Sequence, residues 1–286
     1  MAEDVVLSHQ TLKINGLDMH VILAGEGQPL LLLHGFPDSA QLWRKMIPDL
    51  VAAGYQIIAP DQRGYGLTTA PADVKAYTIE NITTDAIALL NALGVQKAAM
   101  MGHDWGALIG WALAAQHPDR FSAYVAVSVG HPGSYLTASF EQKLKGWYVL
   151  MFQLRGIAEA LFRAQNFRAL RQTDGGIGEA DHWIADLSRP GRLTAALNWY
   201  RANFSGMLGV RPQRVAIPVL GVWSTRDVAL SEDQMTGSAR FVDTEFRYAR
   251  VEGAGHWIPL ERPRELAVLA IAFLSALEPD SKFGGN

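Results

Sequence analysis

Gly102-His103-Asp104-Trp105-Gly106 puts a carboxylate between an apolar run at 98–101 and an amphipathic segment at 107–116. The pattern reads as a strand turning sharply into a helix. Glycines on both flanks allow the tight backbone path of a nucleophile elbow, written G-x-S-x-G when its apex is serine. Here the apex is Asp104. A serine hydroxyl needs a base before it can attack, whereas an aspartate with a reference pKa near ~3.9 is already ionised at neutral pH. The N-terminus of the following helix adds partial positive charge that favours the ionised form. Attack by a carboxylate leaves an ester, and releasing the product then calls for a histidine that activates water. Aspartate is also favoured as a plain helix N-cap, so the partners of Asp104 decide between the two readings.

Those partners have to come from strand ends. Hydrophobic runs at 30–33, 55–59, 98–101, 124–129, 217–223 and 246–251 alternate with helical patterns at 41–53, 79–93, 107–116 and 263–277. That alternation predicts an α/β fold, a mostly parallel sheet covered on both faces by helices. Residues 5–14 and 19–23 read as a hairpin ahead of it. In such sheets functional groups gather beyond the carboxyl ends of the strands. Asp227 follows the strand ending at Trp223, and His256 lies in Gly253-Ala254-Gly255-His256-Trp257 after the final strand. The strand before the helical insertion ends in Ser128-Val129-Gly130-His131 and offers no rival carboxylate. Asp104, Asp227 and His256 are therefore the candidate nucleophile, orienting acid and base.

The strand rhythm breaks after residue 133. Residues 134–211 are helical and aromatic-rich, with a glycine stretch at 174–178 read as flexible, and form an inserted cap, or lid, between a first core part at 1–133 and a second at 212–286. The tail 281–286 reads as disordered. With 286 residues and a formal net charge of −3 without a polybasic run, neither nucleic acid nor an anionic membrane is the expected main partner. No apolar stretch is long enough to span a bilayer. Residues 1–4 show no basic and apolar leader pattern, so a cytoplasmic protein is expected, as monomer or homodimer. The chain has no cysteine, which excludes thiol catalysis, and its eight histidines show no metal-ligand spacing. Neither a metal nor a cofactor is expected.

With these residues in place, the chain resembles an α/β-hydrolase of the epoxide hydrolase type from about residue 10 to 278. His34-Gly35-Phe36-Pro37 resembles that family's HGxP oxyanion loop, and Asp61 to Gly66 its DxRGxG loop. Gly255-His256-Trp257 with Glu261-Arg262-Pro263 resembles its histidine segment. In the insertion, Tyr148 before Phe152-Gln153 and Asn198-Trp199-Tyr200-Arg201 resemble the two segments that carry the family's lid tyrosines. The resemblance implies hydrolysis of a small apolar epoxide to a vicinal diol through an ester on Asp104. Tyr148 and Tyr200 would assist ring opening, and the backbone N–H groups of Phe36 and Trp105 would form the oxyanion hole. His34 and His103 are expected to be structural, Asp61 and Arg63 to pair with each other, and Trp147, Trp183 and Trp199 to be lid core or pocket wall.

Two other functions compete. A haloalkane dehalogenase shares the Asp nucleophile and the histidine, but its halide site usually needs a side-chain donor where this chain has Phe36. Fluoroacetate dehalogenases typically carry Arg after the nucleophile, where this chain has Trp105. A non-catalytic receptor on the same fold would have no need of His256 beside an ester-forming carboxylate.

Overall fold

The computed structural model describes residues 5–207 and 212–277; the tail expected to be disordered lies outside them. Among these residues eight strands form one sheet in the order β1-β2-β4-β3-β5-β6-β7-β8. They are β1 (Ser8–Ile14), β2 (Leu17–Ala24), β3 (Gln28–Leu33), β4 (Tyr55–Pro60), β5 (Ala98–His103), β6 (Phe121–Val127), β7 (Val219–Ser224) and β8 (Phe246–Val251). The β1–β2 and β2–β4 pairs are antiparallel, and every other pair is parallel. Leu30, Leu31, Leu32, Val125 and Val222 in the central strands are wholly buried, as a sheet covered on both faces requires.

Three helices fall in the first half: α1 (Ile47–Ala52), α2 (Ile79–Ala92) and α3 (Trp105–Gln116). The single helix expected over 41–53 is instead a 3₁₀ turn, Ala40–Trp43, followed by α1. Pro48 explains the break, since its ring clashes with the carbonyl four residues back and it has no N–H to donate. Among the described residues six further helices lie between β6 and β7: α4 (Pro132–Leu136), α5 (Phe140–Lys145), α6 (Tyr148–Phe152), α7 (Ile157–Thr173, interrupted at 164–167), α8 (Ala180–Ser188) and α9 (Arg192–Met207). The boundary expected at 133/134 falls inside α4, which begins at Pro132 and whose Gly133 N–H is accepted by the His131 ring. The glycine stretch at 174–178 is pinned by Asp174, whose carboxylate accepts the N–H groups of Gly178, Glu179 and Ala180. The fold closes with α10 (Glu232–Thr236), α11 (Ile258–Glu261) and α12 (Pro263–Ser275). No helix of the described residues is long and apolar enough to cross a membrane.

The pairing expected between Asp61 and Arg63 does not form. Arg63 forks onto Asp85 of α2, at 2.6 and 2.7 Å, while Asp61 accepts from His20 and from the backbone of Ala40 and Leu67. A guanidinium prefers the bidentate geometry that a carboxylate on a neighbouring helix can offer. Trp199 is buried and donates its indole N–H to the Arg63 carbonyl. Trp183, also buried, donates to Asp38 and packs on Trp257 at 4.8 Å. Trp147 is 65% exposed, so it is neither lid core nor pocket wall.

Candidate active site

Asp104 sits between β5 and α3 with φ 52° and ψ −121°, a backbone conformation a side chain rarely adopts. The close packing around it leaves no choice about the flanking glycines. A Cβ on Gly102 would strike the Gly106 carbonyl, one on Gly106 the Leu33 carbonyl, and one on Gly35 the Asp104 carboxylate itself. The loop after β3 therefore passes directly over the carboxylate. From it the Phe36 N–H donates to Asp104 Oδ1 at 2.8 Å. The Trp105 N–H, at the start of α3, also donates to the Asp104 carboxylate.

The other carboxylate oxygen, Oδ2, lies 3.6 Å from His256 Nε2. His256 Nδ1 is 2.9 Å from Asp227 Oδ2, which places a hydrogen on Nδ1 and turns Nε2 towards Asp104. Asp227 is itself held by the N–H groups of Ala229 and Leu230 on its Oδ1, at 2.8 and 2.9 Å. The backbone of His256 is clamped as well: its carbonyl accepts from His103 Nε2 at 2.9 Å and from Ser128 Oγ at 3.1 Å. On the preceding turn, Gly255 N–H donates to Glu261 and the Gly255 carbonyl accepts from Ser224 Oγ. His34 Nε2 accepts the N–H of Gln62 and its Nδ1 lies 3.1 Å from the Gly35 carbonyl, tying the two loops together.

Burial alone would raise the pKa of Asp104, but the hydrogen bond and charge of His256, the neighbouring His103 and the Trp105 N–H together hold it below its ordinary value. For His256 burial works the other way, and the charges of Asp227 and Asp104 overcome it, pushing the ring up to about 10. The resting site is thus an Asp104 carboxylate against a histidinium. Burial, with the charge of His256 added, lowers His103 to about 4, so this ring stays neutral and serves as a fixed donor.

Tyr148 of α6 and Tyr200 of α9 line the same cavity as Asp104, with ring centroids 6.3 Å apart. Tyr200 is buried and packs edge-on to Trp105 at 5.0 Å and Phe152 at 4.7 Å. Burial, and then the negative charge of Asp104, pushes both phenols well above their ordinary range, so both keep their protons. The structure thus brings together all seven residues singled out in the sequence: Asp104, Asp227, His256, Tyr148, Tyr200, Phe36 and Trp105. The clamp on His256 was not foreseen. Ser128 reaches it from a positive φ of 69° at the end of β6, and only its place at a strand terminus hinted at a role.

The chain matches the α/β-hydrolase fold family model over residues 28–263. It is 33% identical to Epoxide hydrolase A of Mycobacterium tuberculosis, over 92% of this chain and 96% of that protein. To the AB hydrolase superfamily protein YfhM of Bacillus subtilis it is 35% identical, over 93% and 97% of the two chains. The crystal structure of Epoxide Hydrolase A from Mycobacterium thermoresistibile superposes with a TM-score of 0.83 at 32% identity, covering 96% of this chain and 99% of that one.

Proposed function

The chain belongs to the α/β-hydrolase fold family, among its epoxide hydrolases, and from that premise we propose that it converts an epoxide to a vicinal diol through a covalent ester on Asp104. The observation that carries this reading is the division of labour on one carboxylate. Oδ1 is gripped by a backbone N–H, while Oδ2 is turned to His256, and two protonated phenols line the cavity into which the carboxylate projects.

In the first step Oδ2 attacks a ring carbon and the carbon–oxygen bond breaks, its electron pair passing to the epoxide oxygen. Tyr148 and Tyr200 stabilise the alkoxide by hydrogen bonding, and one of them gives it a proton. Esterification removes one of the two charges that raise His256, so the ring's pKa falls. The proton it releases replaces, through solvent, the one the tyrosine gave up. Resting histidinium thereby becomes a base only after the ester exists.

In the second step neutral His256, oriented by Asp227, takes a proton from water as the water oxygen adds to the ester carbonyl carbon. The oxyanion forms on Oδ1, which the Phe36 N–H already grips, with the Trp105 N–H on the same carboxylate, each such donor being worth roughly 3 kcal/mol in related sites. Collapse expels the diol, which keeps the carboxyl proton. The carboxylate–histidinium pair returns, and no metal or cofactor enters either step. The helices between β6 and β7 act as the cap that supplies the phenols and the apolar walls.

Incubation with a styrene-type epoxide and, separately, with a bromoalkane tests the reading. Diol from the epoxide supports it. Bromide release without any diol overturns it in favour of dehalogenation.

A further inference from the structure

α5 belongs to the helices inserted between β6 and β7, yet it docks on the loop that carries Asp227. Gln142 is the one buried residue of this helix, while Phe140 and Leu144 are 72% and 58% exposed. A helix packed for stability alone would turn those apolar residues inward, because a buried amide costs free energy unless its polar atoms find partners. Gln142 finds them in the Asp227 loop. Its Nε2 donates to the Ala229 carbonyl at 3.1 Å, and its Oε1 accepts from the N–H and Oγ of Ser231 at 2.8 and 3.0 Å. One turn on, Lys145 Nζ donates to the Asp227 carbonyl at 2.8 Å and to the Leu230 carbonyl at 3.3 Å. Its charge is met by Glu141 at 3.1 Å.

These contacts reach the acid through planar peptide units. The unit joining Ala229 to Leu230 is held at both ends, its carbonyl by Gln142 and its N–H by Asp227 Oδ1. Fixing the carbonyl therefore fixes where the N–H points, and with it the carboxylate that accepts that N–H. The next unit is held in the same way, with Lys145 and the Trp223 indole on the Leu230 carbonyl and Gln142 on the Ser231 N–H.

We propose that Gln142 and Lys145 are positioning residues for ester hydrolysis, bracing from the inserted helices the loop that aims Asp227 at His256. The inference rests on the ester reading above. Neither residue lines the cavity that holds Asp104, Tyr148 and Tyr200, so both act through Asp227 and not on the substrate. Loosening the brace spares the attack of Asp104, which needs no base. It slows the later step, in which an oriented His256 must take a proton from water.

Single-turnover mixing of the full chain with a styrene-type epoxide, followed by intact-protein mass measurement of acid-quenched samples, separates ester formation from ester decay. Lys145→Met and Gln142→Met should each slow decay about 10- to 10²-fold, the scale of a small misplacement, while formation changes less than about threefold and the ester accumulates. Lys145→Arg keeps a charged donor of similar reach and should stay within about threefold of the parent. Gln142→Met strands the buried Ser231 N–H and risks misfolding, so Lys145→Met, at a side chain 22% exposed, decides the matter if that variant fails. Unchanged decay in Lys145→Met, or formation and decay slowed equally, overturns the brace while leaving the ester reading intact. Absence of any ester in His256→Gln and in these variants, while the parent makes diol, removes the ester reading and the brace with it.

Discussion

The two sides of the cavity are built differently. On the sheet side, each group is fixed by hydrogen bonds to backbone: Phe36 N–H on Asp104, two N–H groups on Asp227, and two donors on the His256 carbonyl. On the opposite side, the two phenols are set mainly by ring packing, and unequally. Tyr200 rides on α9, which is tied to the core by Asn203 bonds to Ile79 and Tyr77 and by Trp199 to Arg63, and to α7 by the buried Arg201–Glu159 pair. Tyr148 rides on the five-residue α6 between Trp147 and Leu150, 65% and 61% exposed. In the proposed reaction the sheet side would therefore hold ester formation and hydrolysis to one geometry, and the helical side would supply acids whose placement depends on packing.

The largest effect is expected on the sheet side. Asp227→Asn would turn the imidazole to the wrong tautomer and slow ester hydrolysis by about 10³- to 10⁴-fold. Pre-steady-state mixing should show a burst of alkylation followed by that slow release, and loss of the burst together with turnover would mean that Asp227 does more than orient His256. On the helical side, Tyr200→Phe and Tyr148→Phe should each cut the alkylation rate, with the pair together costing on the order of 10²- to 10⁴-fold. The unequal supports predict the larger single loss for Tyr200. Equal losses would erase the distinction drawn between α9 and α6.

pH sharpens the same contrast. His256 is raised from 6.5 to about 10 in the folded resting state, so its contribution to stability is complete below 6.5 and is lost as pH rises through that folded value. Thermal unfolding temperature should fall across this window, and His256→Gln should flatten the fall. In the ester the Asp104 charge is gone, so the acid limb of kcat should lie below the pH at which the resting histidine titrates. An acid limb at about 10 would contradict the switch. The smallest change is Ser128→Ala, which removes one donor from the His256 carbonyl. It should cost about 1 kcal/mol in unfolding free energy and slow hydrolysis more than alkylation.

How much of this was legible in the sequence follows the same division. β8 was read at its observed limits, 246–251, and the elbow, Asp227 and His256 all fell at strand ends, because a period-two or continuous apolar run and a glycine-rich turn are local signals. Tyr148 and Tyr200 came through resemblance alone, since nothing local distinguishes a phenol aimed at a cavity from one packed in a helix bundle. The Arg63–Asp85 pair and the Ser128 and His103 clamp could not be read at all: they join residues 22, 128 and 153 positions apart, and only the assembled sheet brings them into contact. That Leu108, Ala112 and Ala115 of α3 line the cavity beside Asp104 was equally hidden, because leucine and alanine look the same in sequence whether they face a core or a cavity wall.

The proposed reaction turns on a covalent ester at Asp104, and intact-protein mass spectrometry of His256→Gln mixed with a turned-over epoxide tests it most directly. A stable mass increase equal to one epoxide, mapped to the peptide carrying Asp104, is the expected result. An unmodified mass throughout, while the parent protein turns over the same epoxide, would contradict the ester and favour direct attack by water.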